Sequence, residues 1–220
     1  MGTLCVEVRG ELACFTRPEM KVERVSYDVM TPSAARAIFD AILWKPAIRW
    51  QVERIDVMRT IAWMSLRRNE IGSKVPVDAV RSAMRRGTPG DLALYVDEDR
   101  QQRASLLLRD VAYRIWARPV LTPRAGSGDT LAKFEEMFRR RASRGQCVNQ
   151  PYLGCREFAC SFELADAPVG SAIDDSRDLG VMLYDLDFAD PSQPAPMFFR
   201  AHLEQGTLRV PAPDSPAVLR

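Results

Sequence analysis

Only one histidine, His202, occurs in 220 residues, so the side chain that most often moves protons near neutral pH is almost missing. It lies in a late extended stretch beside Arg200 and Glu204, where a surface role is the plainer expectation. Membrane-spanning runs are missing too: no apolar stretch approaches the roughly 18 residues a spanning helix needs. The first residues hold no basic segment followed by a long apolar one, so no secretory signal is expected. The five cysteines (Cys5, Cys14, Cys147, Cys155 and Cys160) are odd in number and scattered, which reads as reduced thiols in a cytoplasmic protein. Cys155 and Cys160 lack a second pair or a histidine at zinc-finger spacing, and no metal is expected. There is no Gly-x-Ser-x-Gly elbow, no Walker loop and no dinucleotide glycine fingerprint. An α/β-hydrolase and a phosphate-loop enzyme are thereby disfavoured, and no cofactor is expected. The paired carboxylates Glu135-Glu136 and Asp174-Asp175 read as solvated surface.

What the chain has is charge asymmetry. It is +2 overall, yet residues 1–156 carry 27 basic and 18 acidic residues, and residues 157–220 carry 4 and 11. A basic front that meets a polyanion and an acidic rear that does not would produce this split. Arginine supplies 27 of the 31 basic residues, and its planar fork binds phosphate bidentately and stacks on bases. A GC-rich genome would favour arginine as well.

The apolar pattern gives the elements. Leu4, Val6 and Val8 alternate with polar neighbours, predicting a strand over 3–16 with a bulge at Gly10. Residues 17–30 read as a polar loop or short hairpin. Thr31-Pro32 is a hydroxyl cap followed by proline at the first helical position, and the helix it starts ends before Pro46. Residues 48–57, 60–66 and 111–117 read as strands, and 68–103 as an inserted excursion. Leu131, Phe134, Phe138 and Ala142 share one face of a second helix. Short strands follow at 158–164, 181–188, 197–203 and 207–210. The expected class is α+β: a ferredoxin-like βαββαβ domain over 1–150 with the insertion, then a small antiparallel β domain over 151–220. RRM domains share that layering and present aromatic and basic side chains to single-stranded RNA.

Binding chemistry stands out more than catalysis. Arg67, Arg68 and Asn69 sit at a strand end next to Glu70; Lys21, Arg24 and Tyr27 fall in one loop; Lys45 follows Trp44. Interleaved aromatic and basic groups supply phosphate neutralisation and base stacking.

Several separate segments, in order, carry a resemblance: Phe15 to Val29, Thr31 to Arg36, Trp44-Lys45-Pro46-Ala47-Ile48-Arg49-Trp50, Arg67-Arg68-Asn69-Glu70 and Leu153-Gly154-Cys155-Arg156-Glu157-Phe158. Together they closely resemble the type I-C CRISPR-associated family Cas five, subtype d, from residue 10 to about 210 and most weakly at 74–100. The resemblance implies an RRM-like domain, a small β domain, and a subunit of the type I-C Cascade effector that grips the 5′ handle of CRISPR RNA. Arg156 joins the RNA-binding candidates on the same ground. Implied partners are the backbone subunit Cas seven, the large subunit Cas eight and, indirectly, target DNA, with no membrane. The family also cuts precursor CRISPR RNA without metal, by attack of a 2′-hydroxyl on the adjacent phosphate. It commonly does so with a tyrosine or histidine before Trp-Lys-Pro and a Lys-His pair near the second helix. Here those positions read Leu43 and Lys133-Phe134. The lysine can still stabilise charge, but Leu43 and Phe134 cannot transfer a proton. Handle binding with cleavage reduced or absent is the favoured expectation; the alternatives are an active processing endoribonuclease in which Tyr27, Lys45, Lys133 or His202 replaces the missing groups, and a free-standing nucleic-acid binder.

Overall fold

The structure is a computed structural model describing residues 2–90, 92–165, 172–188, 190 and 192–220. In chain order the elements are β1 (Leu4–Ala13), β2 (Arg24–Val25), α1 (Pro32–Ile42), β3 (Ile48–Val57), β4 (Ala62–Ile71), α2 (Val77–Arg86), β5 (Arg100–Leu121), α3 (Leu131–Ala142), β6 (Ser161–Leu164), β7 (Arg177–Asp187), β8 (Ala195–Glu204), β9 (Thr207–Arg209) and β10 (Val218–Leu219). They form a mixed α/β molecule dominated by one large, mainly antiparallel sheet.

The sheet runs β10-β8-β9-β3-β5-β1-β6, with β2 and β4 on β5 and β7 on β8. Its axis is the 22-residue β5. The second half of β5 pairs with β1 (Leu4↔Ala117) on one side and β3 (Ile48↔Leu121) on the other. Its first half leaves the body and pairs with β4 from Ala62↔Arg109 to Ile71↔Arg100. The expected excursion is therefore a two-stranded arm that carries α2, with Asp91 outside the described residues. Hydrophobic alternation understated both strands because polar residues occupy both faces of the arm, so exposure alternates along β4 while hydropathy does not. Among the last strands, β9 adds to the edge of β3 (Arg54↔Arg209), so the sheet continues from the front of the chain into its rear.

Gly10 makes no bulge. The β1–β5 register is unbroken across Gly10↔Val111. A Cβ there would lie 2.5 Å from the Leu153 Cδ1 methyl, so the residue is small because a loop packs on it.

Both α1 and α3 cover one face of the sheet. The hydroxyl of Thr31 accepts from Ala34 N, and that of Thr130 from Lys133 N, fixing each helix start. Phe39, Trp50 and Phe138 meet at ring-centroid separations of 4.7–5.1 Å, joining both helices to β3. Trp50 Nε1 donates to the Leu43 carbonyl at 2.8 Å, which satisfies the one polar atom of a side chain 1% exposed.

The opposite face carries paired charges. Arg114 donates to Glu7 at 2.9 Å, Arg54 to Asp56, and Arg118 to Glu53 at 2.7 Å. Trp116 donates to Asp56 at 2.8 Å and is capped by the Arg54 guanidinium 4.6 Å from its ring. That tryptophan's visible face is occupied by Arg54, so it is not a bare stacking platform of the kind an RRM sheet presents.

Candidate nucleic-acid interface

Three segments that are distant in sequence meet at the base of the arm. In β2, Arg24 lies parallel to β5 opposite Ser105. In β4, Arg68 lies opposite Arg103 of β5. A turn at 153–158 brings Cys155, Arg156 and Glu157 alongside. Gly154 makes this approach possible: its φ is +83°, and a Cβ would sit 2.0 Å from the Cys14 carbonyl oxygen. The Cys14 N–H donates to Leu153 O at 3.0 Å and Leu153 N–H to Phe158 O at 2.8 Å, pinning the turn to the end of β1.

Charge at this corner is balanced toward positive. Glu157 pairs with Arg68 Nη1 and, at 3.5 Å, with Arg24 Nη1. Glu70 pairs with Arg68 Nη2 at 3.5 Å and Arg103 Nη1 at 3.6 Å. Three guanidiniums thus share two carboxylates, with Lys21 exposed on the turn before β2 and Arg156 exposed on the 153–158 turn. Arg68 Nε and Nη2 are buried without a hydrogen-bond partner among the described residues, although every guanidinium N–H is a strong donor. Those two donors are shielded from solvent, so the positive charge that faces outward at this corner is on the partly exposed Arg24 and the exposed Lys21 and Arg156.

Beside this corner, a groove of about 540 Å³ runs between α1 and the 149–156 segment. Trp44, 59% exposed, lines it with Tyr152, Asn149 and Arg156. Lys45 is exposed one residue on.

The sequence candidates divide accordingly. Lys21, Arg24, Arg68 and Arg156 surround the corner, and Lys45 flanks the groove. Arg67 and Asn69 lie on the other face of β4, because neighbouring strand residues point to opposite sides. Trp63 is on that outer face with them, 37% exposed. Tyr27 requires a correction. It is 2% exposed, Arg17 covers its ring at 4.5 Å, and its hydroxyl accepts from Leu183 N at 3.1 Å. Burial raises its pKa, and its ring supplies no stacking surface.

Leu43 and Phe134 are 0% and 2% exposed and belong to the core. Lys133, on the first turn of α3, donates to Asp129 at 2.9 Å, and that bond holds the Asp129 carboxyl below its ordinary range. His202 is exposed on β8, opposite Asp178. Reading the sequence missed Glu157 and Glu70 as shared counter-ions, and Arg103 as their third arginine. The only signal was the proximity of Glu70 to Arg68 and of Glu157 to Arg156; the partners across the arm depend on strand register.

The sequence matches the family model described as CRISPR-associated protein (Cas_Cas5), the Cas5d model, over residues 3–211. Two curated relatives are named CRISPR pre-crRNA endoribonuclease Cas5d. The one from Mannheimia succiniciproducens is 50% identical over 212 residues, covering 94% of this chain and 93% of its own. The one from Thermus thermophilus is 43% identical over 231 residues, covering 96% and 93%. A crystal structure of a CRISPR-associated protein superposes with a TM-score of 0.70 at 23% identity, covering 100% of this chain and 97% of the other, which shows a shared fold. With a family model spanning nearly its whole length and relatives this similar, the chain belongs to the Cas5d family of CRISPR-associated proteins.

Proposed function

We propose that this chain binds the 5′ handle of CRISPR RNA as a subunit of a type I-C Cascade effector in the cytoplasm, beside the backbone subunit Cas seven and the large subunit Cas eight. The observation that carries the reading is the corner where Arg24, Arg68 and Arg103 share Glu70 and Glu157, flanked by Lys21 and Arg156. Single-stranded RNA needs fixed cations along its backbone and aromatic faces for its bases. Trp44 and Tyr152 in the adjoining groove offer such faces.

The ferredoxin-like reading of residues 1–150 is part of the proposal. The order β3-β5-β1-β6, with α1 between β1 and β3 and α3 between β5 and β6, supports the βαββαβ arrangement, although its last strand, β6, lies at Ser161–Leu164, past residue 150.

We infer further that repeat cleavage is lost or strongly reduced. Attack by a 2′-hydroxyl requires a group to take its proton, one to protonate the leaving oxygen, and a cation near the charged phosphorane. Lys133 can supply the cation after leaving Asp129. Hydrocarbon at Leu43 and Phe134 supplies neither proton transfer. An active endoribonuclease is the second reading, favoured by the names of the two relatives. Incubating the purified chain with its own repeat RNA in EDTA separates the two. Tight binding without discrete products supports the first reading, and a defined cut supports the second.

A further inference from the structure

Cys14 and Cys155 approach each other where the end of β1 meets the 153–158 turn, and neither is one of the cations assigned to RNA. Their side chains are close enough for each to shift the other's titration. Around them, Cys14 Sγ is 3.4 Å from Thr16 Oγ1, Cys155 Sγ is 3.7 Å from the Cys14 carbonyl oxygen, and Arg24 Nη1 donates to Cys155 Sγ at 3.7 Å. The backbones touch as well, through the Cys14 N–H to Leu153 bond and the missing Cβ of Gly154. Such closeness is what a disulfide needs, since Cα atoms more than about 7 Å apart cannot be bridged without backbone movement.

The pair is chemically unequal. Cys155 is half-buried and Cys14 is 1% exposed. The Cys14 side chain and the Arg24 guanidinium lower the pKa of Cys155, against burial and Glu157, while the Cys155 side chain and burial raise Cys14. The more reachable sulfur, Cys155, is also the one a guanidinium faces at 3.7 Å, which favours its thiolate over that of the buried Cys14, the arrangement of an attacking and a resolving cysteine. Elsewhere, burial pushes Cys5 and Cys160 up to about 12.

We propose that Cys14 and Cys155 form a peroxide-reactive dithiol that closes to a disulfide. The Cys155 thiolate attacks one peroxide oxygen; the O–O bond breaks, hydroxide leaves and takes up a proton as water, and Cys155 becomes a sulfenic acid. Cys14 then gives up its proton and attacks the Cys155 sulfur; the S–S bond forms, the S–O bond breaks, and a second water leaves. Two thiols are oxidised and one peroxide is reduced. The disulfide ties β1 to the turn and weakens the Cys155 sulfur as an acceptor for Arg24, leaving that guanidinium to Glu157.

The test uses the full chain and hydrogen peroxide, read by intact mass and by peptide mapping after alkylation. The expected result is loss of two hydrogens per chain and a peptide joining positions 14 and 155, reversed by dithiothreitol. Cys14→Ala should stop at a Cys155 sulfenic acid trapped by dimedone, and Arg24→Gln should slow closure several-fold. These readouts do not involve RNA, so they fail or succeed apart from the handle-binding reading. Oxidation confined to Cys147, or Cys14 and Cys155 both remaining alkylatable after peroxide and unfolding, would overturn the proposal.

Discussion

Glu157→Gln isolates the charge that two arginines share. The substitution keeps the side-chain shape and leaves an oxygen that can accept from Arg68, but removes the negative charge lying 3.5 Å from Arg24 Nη1. The Glu157 side chain is 44% exposed, so the pair belongs to the range of about 0–1 kcal/mol measured for solvent-exposed ion pairs. Freeing the guanidiniums from that competition should tighten RNA binding by up to about fivefold, since 1.4 kcal/mol corresponds to tenfold. It should also steepen the salt dependence, because each additional phosphate neutralised on a single strand adds about 0.7 to the slope of log K against log salt. Fluorescence anisotropy with end-labelled repeat RNA across a salt titration measures both. Unchanged or weaker affinity with an unchanged slope would refute the claim that Glu157 competes with phosphate.

Lys21→Ala and Arg156→Ala should each weaken repeat-RNA binding and lower the salt slope by roughly 0.7, whereas Arg67→Ala, on the other face of β4, should change neither; unchanged affinity for Lys21→Ala or Arg156→Ala across the titration would remove that residue from the interface. Gly154→Ala should destabilise the chain by about 1–3 kcal/mol or more, from its φ of +83° and the collision with Cys14 O, seen as a lower urea midpoint; wild-type stability would contradict the turn geometry. Burial pushes the Glu7 carboxyl up, but hydrogen bonds from Arg9 and Arg114 outweigh it, so its pKa lies below the ordinary 4.5. The stability it contributes is full above the unfolded value and disappears as pH falls through the lower folded one. Glu7→Gln should therefore flatten stability loss on acidification below about pH 4.5, as followed by denaturant unfolding at successive pH values; an unchanged acid limb would show that Glu7 does not titrate with folding.

Much of the body was legible because a capped helix and a half-buried strand write their periods into the chain. Thr31-Pro32 and the Leu131, Phe134, Phe138, Ala142 spacing gave both helices on the sheet, and alternation gave β1 and β3. The arm was not legible, since Arg67 and Asn69 on one side and Arg68 and Glu70 on the other leave no apolar face. Its helix α2 has no side-chain cap and shows only Val77, Val80, Ala83 and Met84 at helical spacing. The cluster at the arm's base was half legible for a related reason. Arg24 and Arg68 stood out in basic clusters and Arg156 came in through the family resemblance, but their neighbours follow from β5 registering Arg103 against Arg68. Tyr27 looked like a stacking residue because its loop is polar, whereas β7 folds over it and gives its hydroxyl a backbone partner.

Photocrosslinking the chain to repeat RNA carrying thio-substituted bases in the 5′ handle, followed by mass spectrometry of the attached peptides, tests the interface most directly. Attachment should fall at residues 21–24, at Trp44 and Lys45, and at 149–157. Attachment confined to the ion-paired sheet face around Trp116 and Arg118, with none at those segments, would contradict handle binding at the arginine corner.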